Sequence, residues 1–188
     1  MLCMRSWDKQ LARAGLLAGL VGLAACGGDP RAGQYVGDNV TTTDFEQLAG
    51  WGDADRQALT QQQAHSGRTA TFVGPARAYS LAYYLPLGQA SVHPLKAVEL
   101  DAWVYLPSGK ASAALAVQVL PPGGGAPLYH EQLPLLDQVH DFGSWQRVHH
   151  VFVLPQGLPG EAELRIFLGR ATSPEPVYLD DLTVKARE

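Results

Sequence analysis

Cysteine is nearly absent from this 188-residue chain: there are two, Cys3 and Cys26, both near the N-terminus. No disulfide framework can staple the body of the chain, so its core must hold it together. An excess of positive charge is lacking too. Lys and Arg number 14 against 18 Asp and Glu, the formal net charge is −4, and no basic patch stands out. That balance argues against nucleic acid as a partner. Long apolar runs are missing. Residues 14–25 are small and apolar, but a membrane-spanning helix takes roughly 20 such residues.

Catalytic signatures are also scarce. There is no Gly-x-Ser-x-Gly elbow. His130-Glu131-Gln132-Leu133-Pro134 begins like a zinc-binding helix, but it lacks the second His and ends in proline. Gly123-Gly124-Gly125 lies between strand patterns, without the helix that a phosphate loop needs. His149 and His150 are neighbours on a strand pattern, so their rings face opposite sides and cannot chelate one metal. Glu99 and Asp101 share a face and imitate a glycosidase pair, but no residue around them would raise a pKa. A non-enzymatic chain is expected.

What is present begins with the leader. Arg5, Lys9 and Arg13 precede the apolar run, which ends in Leu23-Ala24-Ala25-Cys26. This order resembles a bacterial lipoprotein signal. The resemblance implies that residues 1–25 are removed and that Cys26 becomes the first residue and carries lipid. Several acyl chains anchor durably where one is marginal. The implied location is the cell envelope, with the protein tethered to a membrane. Gly27, rather than Asp, follows the cysteine, which points to the outer membrane if the cell is Gram-negative. The alternatives are an ordinary signal peptide or an uncleaved amphipathic helix. Loss of Arg5, Lys9, Arg13 and Asp8 with the leader would move the net charge from −4 to −6. Residues 26–40 are polar and Gly-rich and read as the lipidated cysteine and a flexible tether. Residues 41–188 are expected to form one domain, large enough for a real core.

The periodicity in that domain is two, not 3.6. Val98, Leu100, Ala102, Val104 and Leu106 share one face. So do Leu115, Val117 and Val119, then Leu164, Ile166 and Leu168, and Leu182 with Val184. Further strands are expected near 43–48, 69–74, 79–85, 128–133 and 146–154, with only 53–64 suited to a helical turn. Turn chemistry separates them, as in Pro107-Ser108-Gly109 and Pro155-Gln156-Gly157. An all-β fold follows: a β-sandwich or jelly roll of eight to nine antiparallel strands.

Three segments sharpen this. Asp44-Phe45-Glu46 opens the domain, with Gly50-Trp51 soon after. Ala64-His65-Ser66-Gly67-Arg68 follows and runs into a strand. Val177-Tyr178-Leu179-Asp180-Asp181-Leu182 begins the last strand. In this order they resemble the carbohydrate-binding modules attached to bacterial cellulases and xylanases, of galactose-binding-like jelly-roll fold. Ala102-Trp103-Val104 on a middle strand fits as well. The resemblance covers almost the whole domain and bears on fold more than on sugar binding.

It also implies a structural calcium. Glu46 and Asp180 match its carboxylate positions, and backbone carbonyls near Arg68 match its third element. Alternation places Tyr178 and Asp180 inward with Leu182 and Val184, and Asp181 toward solvent. His65 stands where some relatives carry an acid, and imidazole is a poor calcium ligand. The alternative is that Asp180 accepts hydrogen bonds from backbone amides of the 66–68 turn.

A ligand face is expected on the strand holding Trp103. Glu99, Asp101, Trp103 and Tyr105 all point away from the core, two carboxylates beside two aromatics. Sugars stack on aromatic rings and present hydroxyls to carboxylates. Gln118, Arg147, His149, Arg165 and Phe167 point outward on other strands and are expected to extend that face. Trp51 is expected to plug the core beneath the opening loop. The function expected is a non-catalytic, glycan-binding envelope lipoprotein. The alternative is a structural or protein-interaction module that has lost its sugar site, with loops covering these aromatics.

Overall fold

A computed structural model of the chain describes residues 39–48, 51 and 56–188. The leader, Cys26 and the tether up to residue 38 lie outside the described residues. Ten strands are present: β1 (Asn39–Thr43), β2 (Leu59–Thr60), β3 (Ala70–Val73), β4 (Tyr79–Pro86), β5 (Ala97–Tyr105), β6 (Ala113–Leu120), β7 (Tyr129–Pro134), β8 (Trp145–Val153), β9 (Glu163–Arg170) and β10 (Val177–Arg187). The strand pairs are all antiparallel. They form two sheets, giving a β-sandwich jelly roll. One sheet runs β2-β3-β10-β5-β8, with β1 also on β10; the other runs β4-β9-β6-β7.

The alternation expected on β5, β6 and β9 holds. Val98, Leu100, Ala102, Val104, Leu115, Val117, Leu164, Ile166 and Leu168 are all buried in one core. Full burial of each such side chain contributes roughly 1.5–3 kcal/mol. Two boundaries differ from expectation. The first strand is Asn39–Thr43, so it starts inside the stretch read as tether and ends where a strand was expected to begin. The described part of the 53–64 segment forms one 3-10 turn, Arg56–Ala58, leading directly into β2, and it is not the only helical segment: Leu87–Ala90 is a short α-helix and Leu135–Asp137 a 3-10 turn.

The opening motif has a packing role. Phe45 adopts φ 57°, a left-handed conformation. Its ring is 1 % exposed and meets Trp51 edge-on at 5.2 Å. Trp51 in turn tilts onto Tyr83 at 5.4 Å, which makes it the core plug expected of it.

Bulges break the alternation in both sheets; besides one between Asn39 and Thr41 on β1, two bear on the outer faces. Opposite β5, Asp180 pairs with Trp103 and Thr183 pairs with Asp101, so β10 carries one extra residue. Asp181 sits there at φ 45°. Opposite β9, Tyr79 pairs with Gly169 and Ala82 with Phe167, so β4 carries one as well. A bulge reverses which side chains face out on one side of it. Both fall beside the features described next.

Candidate functional site

The outer face of the sheet holding β5 presents its side chains in rows across the strands. Phe72, Tyr178, Tyr105 and Trp145 form one such row on β3, β10, β5 and β8. Their rings touch in sequence at 6.2, 5.9 and 5.7 Å. Asp180, Trp103 and Arg147 form the next row; Thr183, Asp101 and His149 the one after. Tyr178 and Asp180 therefore share the outer face with Tyr105 and Trp103. This corrects the expected inward direction. The reason is the bulge at Asp181: Val177 and Leu179 are the core residues before it, and Leu182 and Val184 after it.

Asp180 is nonetheless 0 % exposed, because the 61–66 segment covers it. Its carboxylate accepts the amides of His65 (2.7 Å), Ser66 (3.1 Å) and Asp181 (2.8 Å). Burial pushes its pKa up; the three amides pull against that, and the neighbouring Asp181 charge adds to it. Asp181 is not a free solvent-facing group either. It is half-buried, meets His65 Nδ1 at 2.5 Å and accepts the Ser66 hydroxyl at 2.7 Å. His65, held this way, stacks on Trp103 at 3.9 Å with planes 13° apart. One face of the Trp103 indole is thus covered by an imidazole.

The four residues expected to form the ligand face do share a side, but they are engaged. Asp101 takes both Nε (2.7 Å) and Nη2 (2.6 Å) of Arg147, with His149 3.7 Å away. The Arg147 hydrogen bond holds its pKa below the usual carboxylate value. Glu99 accepts Arg187 Nε at 2.6 Å and lies 4.0 Å from Lys185. A hydroxyl would have to displace charge-assisted bonds to reach either carboxylate. Arg147 and His149 do flank β5, as expected. Gln118, Arg165 and Phe167 do not: β6 and β9 belong to the other sheet. Their outward side chains leave the opposite side of the sandwich.

The 65–69 turn points amides at both carboxylates. Asp180 takes residues 65 and 66, and exposed Glu46 takes Arg68 (2.7 Å) and Thr69 (2.6 Å) on Oε1. Those amides, Arg68 foremost, hold the Glu46 carboxyl below its usual value. Gly67, at φ 57°, makes this possible: a Cβ there would come within 2.7 Å of Glu46 Oε1. Converging N–H groups suit anions. Calcium wants converging oxygens. Among the described residues no three His, Cys, Asp or Glu gather as a metal site. The geometry fits the amide alternative, not calcium.

The other sheet carries what the sequence did not point out. Its outer face has a shallow groove of about 260 Å³ lined by Tyr79, Ala82, Tyr84, Gln118, Arg165 and Phe167, with Ser80. Tyr84, Arg165, Gln118 and His130 form one row across β4, β9, β6 and β7; Ala82, Phe167, Ala116 and Gln132 form the next. Alanines beside the aromatics leave the floor low. Tyr79 is 63 % exposed and Tyr84 40 %. Tyr79 meets the Phe167 ring edge-on at 5.5 Å, and the Arg165 guanidinium lies 5.1 Å over Tyr84. Besides the outward alternation of Gln118, Arg165 and Phe167, consecutive Tyr83 and Tyr84 are a sequence signal here, since one must face out if the other is core. Tyr79 gave none, because the β4 bulge sets its direction.

No protein-family model matches the sequence, and no curated protein does. Solved structures of similar fold exist. The CBM22-1 xylan-binding domain of Paenibacillus barcinonensis Xyn10C is 20 % identical over 80 % of this chain and 95 % of its own, with TM-score 0.51. The CBM22-2 domain of the same protein is 14 % identical over 79 % and 99 %, with TM-score 0.55. The C-terminal family 22 carbohydrate-binding module of Clostridium thermocellum Xyn10B is 13 % identical over 79 % and 93 %, with TM-score 0.51. At these identities the likeness is one of fold.

Proposed function

We propose that this chain is a non-catalytic glycan-binding module, and that its sugar lies in the groove between Tyr79 and Tyr84. The observation carrying this is the exposure of those two rings at 63 % and 40 %, beside Phe167 and the polar Arg165 and Gln118. Stacking needs an open aromatic plane, and hydroxyl recognition needs polar groups whose bonding capacity is not exhausted. The xylan-binding domains of like fold make polysaccharide the ligand class to try first.

The row Glu99, Asp101, Trp103 and Tyr105 is the less favoured face, because Arg187, Arg147, His65 and Trp145 already engage its groups. Affinity electrophoresis across a polysaccharide panel tests the choice. Tyr79→Ala should abolish retardation and leave the fold intact, since Tyr79 is mostly exposed. Retardation lost in Trp103→Ala but kept in Tyr79→Ala would move the site to the first face. A wild type that no polysaccharide retards would leave the interaction-module alternative.

We place the module at the cell envelope, anchored through lipid on Cys26, on the strength of Leu23-Ala24-Ala25-Cys26. Mass spectrometry of the mature N-terminus checks this. Cys26→Ser should leave unprocessed precursor or release the protein from membranes. An unmodified N-terminus away from residue 26 would end the lipid assignment.

A further inference from the structure

The groove is lined by a cation whose carboxylate partner, Glu163, sits outside the lining. Arg165 is the only charged residue lining it, and no carboxylate lines it. The opposite face mixes signs at close quarters: Asp101 sits there with Arg147, and Glu99 with Lys185 and Arg187. Arg165 donates Nε to Glu163 Oε1 at 2.5 Å and lies over the Tyr84 ring. One edge of the guanidinium is thereby fixed and its plane is supported. Its two terminal nitrogens have no hydrogen-bond partner among the described residues, and the side chain is 38 % exposed. Two parallel N–H groups on a rigid fork match the two oxygens of a carboxylate. Gln118 stands beside Arg165 in register on β6, and its side-chain amide has no hydrogen-bond partner among the described residues. The net negative charge of the chain slows approach of an anion but does not remove a short-range bidentate contact.

We propose that the groove selects a glycan bearing uronic acid, with the carboxylate end-on against Nη1 and Nη2 of Arg165 and a sugar ring on Tyr79. This rests on the glycan-binding reading above and adds the charge of the ligand.

The test is calorimetric titration of the full-length chain with glucuronoxylan and with polygalacturonate, each native and after reduction of its carboxyls to alcohols. Carboxyl reduction should weaken binding by about tenfold, the worth of one charge-assisted contact. Arg165→Gln should bind native and reduced polymers alike, and Arg165→Lys should keep part of the preference. Added salt should weaken binding of the native polymers alone. Equal binding of native and reduced polymer by the wild type would overturn the charge preference and leave the glycan reading standing. A preference that survives in Arg165→Gln would overturn the role of Arg165. No binding to any of the four would overturn the glycan reading and this proposal together.

Discussion

The two outer faces of the sandwich use similar residue types in opposite ways. On the face built on β5, aromatics and carboxylates already have partners within the protein: His65 stacks on Trp103, Arg147 grips Asp101, and the 65–69 turn grips Asp180 and Glu46. On the face built on β9, Tyr79 and the far edge of Arg165 are left toward solvent, and Tyr84 is 40 % exposed with Arg165 over one face of its ring. A side chain whose partners lie within the protein lends stability. One whose partners are missing is available to a ligand. The residue list alone, two aromatics and two carboxylates on one strand, does not distinguish these cases.

The comparison predicts that substitutions on the first face cost stability and those on the second cost binding. Asp180→Ala should have the largest effect, because it strands three amides beneath the 61–66 segment. About 3 kcal/mol or more should be lost in urea denaturation, and a loss under 1 kcal/mol would remove the grip on the turn from this account. Trp103→Ala and Tyr79→Ala form a pair. The first should lose about 2 kcal/mol with glycan affinity kept, the second under about 0.5 kcal/mol with affinity lost. The opposite pattern would exchange the roles of the faces.

Acid should read out a smaller difference. Asp101 is held below its unfolded value by Arg147. Its contribution is therefore present above the unfolded value and lost as pH falls through the lowered, folded one. Wild type and Asp101→Asn should converge in stability over that acid range, and parallel curves would discount the Arg147 pair. Asp180 acts with the opposite sign: its raised value means that stability falls as pH climbs from its unfolded value through the folded one. The smallest effect expected is that of a chelator. If amides rather than calcium occupy Glu46 and Asp180, the melting temperature should not move. A drop that added calcium reverses would restore the metal.

Much of the fold was legible in the chain. Period-two alternation on β5, β6 and β9 gave the core, because a strand buried on one face must alternate. The site was less legible, for two particular reasons. Tyr79 and Asp180 lie beside bulges, and one extra residue inverts the direction that counting assigns. Alternation turns Gln118, Arg165 and Phe167 outward but does not say which sheet their strands join, and β6 and β9 join the other one.

The sequence by itself determined that the chain would be an all-β sandwich and that Trp51 would be core, because burial of apolar side chains is a local pattern summed along a strand. Pairing between strands far apart in sequence decided the rest. It put Trp103 beneath His65 and joined Tyr79, Tyr84, Arg165 and Phe167 in one groove. Those choices depend on cross-strand register, which alternation along a single strand does not specify.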